Sequence, residues 1–303
     1  MGGVLVCVLA GVYIVAPIAQ PNPSSLLARI GKAQQYVSYE GKKISKTHCG
    51  MNCVSAVLKI EHLKPAYTRT TFLQPDRLVG TIILRRNEVA WRFSPSINRW
   101  MKIVESNPRV HEDDEAVFGN YSFSILGEAQ IANRRTIVLQ ALPKSNEDLC
   151  KRIWVDKEHF VVIKQEAFTQ DGRIVNSSQY TSIVFNPKFD QKIFELPKNV
   201  ITHSKSTDHF NTVFPRYLPK GYVKVTKGEV MAGGHLCYHM YFSNGVSGIS
   251  LFQRPLARGE VLRKIKSTQG ANIVSWHQHG MGFVLVGDVS IRELDRIAAS
   301  LKP

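Results

Sequence analysis

The stretch Arg152 to Asn186, RIWVDKEHFVVIKQEAFTQDGRIVNSSQYTSIVFN, constrains the fold more than any other part of the chain. Its apolar residues alternate with the period of a strand, and two polar breaks divide it into three. Ile153, Trp154 and Val155 form the first strand, and Asp156 to His159 is polar enough to turn. Phe160 to Phe168 is the second, with Val162, Lys164 and Glu166 on one face and Val161, Ile163 and Gln165 on the other. Asp171-Gly172 closes a hairpin, because Gly takes the positive φ of a tight turn, and Ile174 to Phe185 returns as the third strand. The unit is a meander and predicts a large antiparallel sheet around it. Nothing in it is chemically reactive, which points to binding rather than catalysis.

The same period recurs on both sides. Asn22-Pro23-Ser24 opens a helix, and Leu26, Leu27, Ile30, Ala33 and Val37 give it one apolar stripe. Strands are predicted over Tyr39 to Thr47, Val54 to Leu63, Tyr67 to Leu73, Leu78 to Arg85, Val89 to Phe93 and Arg99 to Val104. Asn107 to Glu115 reads as an exposed acidic loop, Phe118 to Leu126 as helical or irregular, and Gly127 to Leu142 as two more strands. Val200 to Asn211 is polar and aperiodic, which makes it a linker. Strands resume at Val223 to Val230, Leu236 to Ser243, Gly248 to Gln253, Arg263 to Ser267, Ile273 to His277 and Phe283 to Gly287. The last element is a helix marked by the capping box Ser290/Glu293, the staple Val289/Leu294 and the stripe Leu294, Ile297, Ala298, Leu301. The expected class is α+β in two domains, 22–199 and 212–303, joined by 200–211.

With 303 residues and a formal charge of +15, the chain can bury a core and suits an acidic partner. From residue 200 onward there are 13 Lys and Arg against 6 Asp and Glu, so the last third is the more basic part. Met1 to Ala19 is apolar and uncharged, with Ala16 and Ala19 where a signal peptidase would cut, so residues 1–20 read as a signal or anchor. A cleaved export signal is expected, with an uncleaved anchor or a core helix as alternatives; no Lys or Arg precedes the run. Export makes Cys49, Cys53, Cys150 and Cys237 disulfide candidates, and Cys49 with Cys53 flank an expected hairpin tip, Gly50-Met51-Asn52, across which they would pair.

The ordered set of segments resembles the RseB/MucB family, extracytoplasmic regulators of envelope-stress sigma factors. The residues that carry the resemblance are LLARIGKAQQYVSYEG, LVGTIILRRNEVAWRFSP, ILGEAQIANRRTIVLQALPK, RIWVD, VVIKQEAFTQDG, FPRYLPKGY and VGDVSIRELDRIAASL. The resemblance implies a first domain like the LolA/LolB lipoprotein carriers, an open antiparallel half-barrel with plugging helices. A smaller sheet covered by a C-terminal helix would follow. It implies a non-enzymatic exported protein, in the periplasm or on the extracytoplasmic face of the membrane. The partner would be the extracytoplasmic segment of a membrane-anchored anti-sigma factor, released when lipid or lipoprotein acyl chains enter the first domain. A periplasmic lipid or lipoprotein carrier is the first alternative, and a metal-binding envelope protein the second.

Candidate sites follow from residue chemistry. Trp91, Phe93, Trp100, Ile103, Phe118, Phe123, Trp154, Val162 and Phe185 would line an acyl cavity in an open barrel, or fill an ordinary core. Arg254, Arg258, Arg263, Lys264 and Lys266 cluster around Pro255 and Gly259 and would meet an acidic peptide, or remain solvated. His235, Cys237 and His239 share one strand face, and His277 and His279 recur near Trp276; a zinc or copper site is weighed against a solvent face. No hydrolase, zinc-protease or phosphate-loop motif is present, and the acidic run Glu112 to Glu115 reads as solvated. No cofactor and no nucleic acid are expected.

Overall fold

A computed structural model describes residues 22–49, 52–87, 89–103, 120–145, 148–196, 212–232, 235–244, 246–260, 265–267 and 272–301. The segments 1–20, 200–211 and Glu112 to Glu115 therefore lie outside the described residues. Among the described residues, no helix is long and apolar enough to cross a membrane.

Helix α1 spans Pro23–Tyr36, and the Asn22 side chain accepts from the Ser25 amide at 2.7 Å. Eleven antiparallel strands follow: β1 (Tyr39–Cys49), β2 (Asn52–Leu63), β3 (Tyr67–Gln74), β4 (Ile82–Arg86), β5 (Val89–Ser94), β6 (Arg99–Ile103), β7 (Tyr121–Ile131), β8 (Arg134–Pro143), β9 (Cys150–Asp156), β10 (Val162–Phe168) and β11 (Ile174–Phe185). Their order in the sheet is β6-β5-β4-β3-β2-β1-β11-β10-β9-β8-β7. Two meanders thus share one seam, where β1 pairs with β11. The strands β6 and β7 are neighbours in sequence but form opposite edges of the sheet.

The central meander falls where the sequence places it, with two refinements. Phe160 adopts φ 56 and ends a turn, so β10 begins two residues later. Of Phe118 to Leu126, Asn120 is helical, but from Tyr121 onward the stretch is strand rather than helical or irregular: Tyr121 opens β7, with Tyr121, Phe123 and Ile125 facing inward. Alternation of these three with Ser122 and Ser124 is a strand period that the following Gly127 bulge interrupts.

A second sheet contains β12 (Val223–Ala232), β13 (His235–Ser243), β14 (Gly248–Pro255), β15 (Ile265–Ser267), β16 (Asn272–Gln278) and β17 (Met281–Gly287), ordered β12-β13-β14-β17-β16-β15. Helix α2 (Ile291–Ser300) covers it, capped by Ser290 Oγ accepting from the Glu293 amide. Met240, Phe242, Ile249, Leu251, Leu285, Leu294 and Ile297 form its buried core. Burying each such side chain contributes about 2 kcal/mol. The Glu293 carboxylate accepts from the Tyr217 hydroxyl at 2.6 Å, tying 212–222 to the helix.

Candidate binding face and junction

Helix α1 packs on one face of the large sheet. Its Leu26 meets Ile137, Leu139 and Val155, and its Ala33 meets Ile60, Val161, Ile163 and Tyr180. Register then assigns the remaining side chains. Directly opposed residues share a face, so Tyr39 and Phe185, Gly41 and Ile183, and Lys43 and Tyr180 all lie on the α1 side. The row Gly41, Ile60, Thr70, Ile83, Arg92 continues that face across β1 to β5.

This face is aromatic at the seam. Tyr39 stacks on His62 with centroids 4.9 Å apart and meets Tyr180 edge-on at 6.2 Å. Burial raises the phenol pKa of both Tyr39 and Tyr180, so both remain protonated at neutral pH. Gly41 is required here: a Cβ would sit 2.4 Å from the Ser182 carbonyl oxygen and 2.8 Å from the Tyr180 ring. Lys43 lies over the Tyr180 ring at 5.2 Å, and burial lowers its pKa.

The sequence-derived cavity set divides between the two faces. Phe123 and Phe185 lie on the α1 side, packed into the core. The row Glu61, Arg69, Leu84, Trp91 places Trp91 on the opposite face, and Phe93 with Trp100 follow it there. Trp154 also faces away from α1, beneath Lys164 at 4.1 Å, and Val162 alternates with the core residues Val161 and Ile163. The nine residues therefore do not line one cavity. Phe118 lies outside the described residues, and of Ile103 only its place in β6 is described. Period-two reading groups residues within a strand, but register decides which face each strand presents to the helix.

Charge separates in the same way. On the face away from α1, Glu61 accepts from Lys59 at 2.6 Å and from Arg69 at 3.1 Å, and Glu40 lies 3.7 Å from Lys59. At the β9–β10 turn, Arg134 donates to Asp156 at 2.8 Å and to Glu158 at 2.6 Å. Burial alone would raise the Asp156 carboxyl, but Arg134 and His159 outweigh it and hold it below its ordinary value. Asp156, Glu158 and His159 are the one metal-compatible grouping among the described residues, and the Arg134 guanidinium already supplies its cation.

The histidine–cysteine set does not converge. His235, His277 and His279 are exposed, whereas Cys237 and His239 are buried. Strands β14 and β17 separate β13 from β16, which is roughly 14 Å at ordinary strand spacing. His239 stacks on Phe252 at 4.5 Å, and its Nε2 has no hydrogen-bond partner. Burial lowers its pKa to about 4, so it is a neutral core ring.

The Cys49–Cys53 bridge is also corrected: Cys53 is a free thiol. Register pairs Cys53 with His48 and Cys49 with Asn52, so the two positions fall on alternate faces of the hairpin. Cys150 and Cys237 are free and buried.

Of the basic cluster, Arg254 is occupied by Glu260, donating to Oε2 at 3.0 Å and to Oε1 at 2.5 Å. The Arg254 hydrogen bonds hold the Glu260 carboxyl down at about 2. Arg258 is exposed; Arg263 and Lys264, like the Lys266 side chain, lie outside the described residues.

Sequence reading did not find the contacts between the sheets. Tyr121 and Ser247 hydroxyls lie 2.9 Å apart, Tyr222 donates to Asp148 at 3.0 Å, and Lys151 donates to Asp288 at 2.7 Å. Asp148 and Val289 form an isolated antiparallel bridge beside them. Burial raises the Asp148 pKa. Tyr121 comes from a segment read as helical or irregular and the other partners from loops or strand ends, and no period links them.

The profile described as the MucB/RseB N-terminal domain matches residues 22–200. Sporulation protein YdcC of Bacillus subtilis (strain 168) is 20% identical, over 97% of this chain and 94% of that protein. Sigma factor AlgU regulatory protein MucB of Pseudomonas aeruginosa is 22% identical, over 60% of this chain and 61% of that protein. A crystal structure of MucB superposes with a TM-score of 0.73 at 17% identity, covering 92% of this chain and 97% of that one. The Pseudomonas aeruginosa MucA/MucB complex gives 0.67 at 16% identity, covering 92% and 98%. These likenesses establish a shared fold across both sheets.

Proposed function

Because this chain belongs to the MucB/RseB family, we propose that it is a non-enzymatic regulator acting outside the cytoplasm, holding the extracytoplasmic segment of a membrane-anchored anti-sigma factor. The observation that carries this reading is the architecture. Both sheets, over 92% of the chain, follow the fold of a protein whose structure was solved as a MucA/MucB complex. In this reading 22–199 and 212–303 are two domains joined by 200–211, and the large sheet curls as an open half-barrel around α1. An acyl ligand on the α1 side favours a different arrangement of the two sheets and releases the segment. Release is then proportional to the ligand's differential affinity for the two states.

The experiment is titration calorimetry against the extracytoplasmic segment of a single-span anti-sigma factor from the same organism. Saturable one-to-one binding, with protection of that segment from added protease, is expected. No heat and unaltered cleavage would refute the regulator. Extraction of acylated protein from membranes, with no segment binding, would favour a lipoprotein carrier instead.

A further inference from the structure

The ion pairs of β1 to β3 all lie on the face away from α1. On the α1 face, the described positions of β1 to β6 include no Asp or Glu, and α1 itself has none. Four cations nevertheless share that face by register, Lys43, Arg85, Arg92 and Arg99, and two of them bear on the argument. Lys43 contacts the Tyr180 ring and has no carboxylate partner among the described residues. Arg92, four strands away from β1, buries its Nε without a hydrogen-bond partner.

A third unmet group adjoins Lys43. Ser178 on β11 is 6% exposed, and its Oγ has no partner. Ser45 opposes Ser178 and Lys43 opposes Tyr180, so Lys43 and Ser178 are diagonal neighbours across the seam. Diagonal positions lie about 7–8 Å apart, within reach of a long side chain. A buried hydroxyl and a desolvated ammonium each cost stability when unsatisfied. Leu58, which opposes Lys43 on β2, and the buried Ile163 supply the apolar surface beside them.

We propose that this seam binds a long-chain carboxylate, its head taken by the Lys43 ammonium and the Ser178 hydroxyl and its chain laid along the apolar α1 face. One cation and one hydroxyl donor match the two oxygens and single charge of a carboxylate. A phosphate monoester, with three oxygens and a charge near −2, would bury unmet acceptors. The lowered pKa of Lys43 fits an ammonium that lacks its counter-ion. This inference rests on the acyl ligand of the proposed function.

The test compares oleate, oleyl alcohol and acetate as probes by calorimetry on the full chain, with anti-sigma segment binding measured separately. Oleate is expected to bind at least tenfold more tightly than oleyl alcohol, and acetate not at all. Lys43→Met should abolish the preference for oleate while leaving alcohol binding unchanged. Ser178→Ala should weaken oleate several-fold, with the unfolding midpoint of both variants reported alongside. Equal affinity for oleate and the alcohol, or a preference that survives Lys43→Met, overturns the carboxylate site and leaves the acyl ligand standing. Binding of acetate alone overturns the chain-binding part. No binding of any probe, with the segment still bound, removes the acyl ligand itself.

Discussion

His239 makes the stability of the second sheet depend on pH, and the sign is fixed. The ring is 6% exposed, stacked on Phe252, and leaves Nε2 without a partner. Burial lowers its pKa from 6.5 to about 4. The unfolded chain therefore takes up the proton first as pH falls. Stability from the neutral ring is complete above the unfolded value and is lost between pH 6.5 and 4. A shift of this size corresponds to about 3 kcal/mol at the acid limit, and to roughly 2.4 kcal/mol between pH 7 and pH 4.5. His239→Phe keeps a planar ring against Phe252 and removes the titration. Urea denaturation of both proteins at pH 7 and pH 4.5 isolates the effect, because every other titrating group is common to the pair. The parent should lose about 2.4 kcal/mol more than the variant across that interval. Parallel losses in the two proteins would refute a neutral, desolvated His239.

Three further outcomes are expected. Asp156→Asn removes the negative charge that faces Arg134 and one of the two oxygens that accept from Arg134 and from the His159 amide, and should cost about 3 kcal/mol by denaturant titration, the scale for breaking a buried pair; a loss under 1 kcal/mol would contradict the buried network. Asp148 has a raised pKa, so its ionisation opposes folding as pH rises above the unfolded carboxyl value; Asp148→Asn still accepts from Tyr222 and should gain stability relative to the parent at pH 7 but not at pH 3, measured by thermal unfolding. Replacing Arg258, Arg263 and Lys264 together with Ala should slow association with the acidic segment at low salt, the rates converging with the parent's at high salt, in stopped-flow measurements; an unchanged low-salt rate would move the partner site elsewhere.

The strand pattern was largely legible, because Ile174 to Phe185 is rich in strand-forming residues with alternation broken at two bulges, and the helix around Leu294 follows period 3.6. Faces were not. Trp91 and Phe185 are both aromatic strand residues in apolar surroundings, yet register sets them on opposite sides of one sheet. That assignment depends on pairing β1 with β11, and no local signal encodes a contact between residues so distant in sequence. Lys43 was missed because Lys42-Lys43 reads as surface, while alternation along β1 turns one of the two inward. Cys49 and Cys53 failed as a pair for a local reason: spacing brings hairpin ends together, but parity decides whether side chains meet.

The seam also sets an order of events during synthesis. Strand β1 is made early, and the edge that will accept β11 has no partner until Asn176 to Phe185 emerges. At ordinary elongation rates that wait is on the order of ten seconds. An eleven-residue strand with a free edge is a template for pairing with other chains. Lys42, Lys43 and Lys46 place three cations along it, and nascent copies on neighbouring ribosomes would repel one another there. The lysine that the folded sheet turns toward α1 thus has an earlier task, keeping an unfinished sheet from closing on the wrong strand.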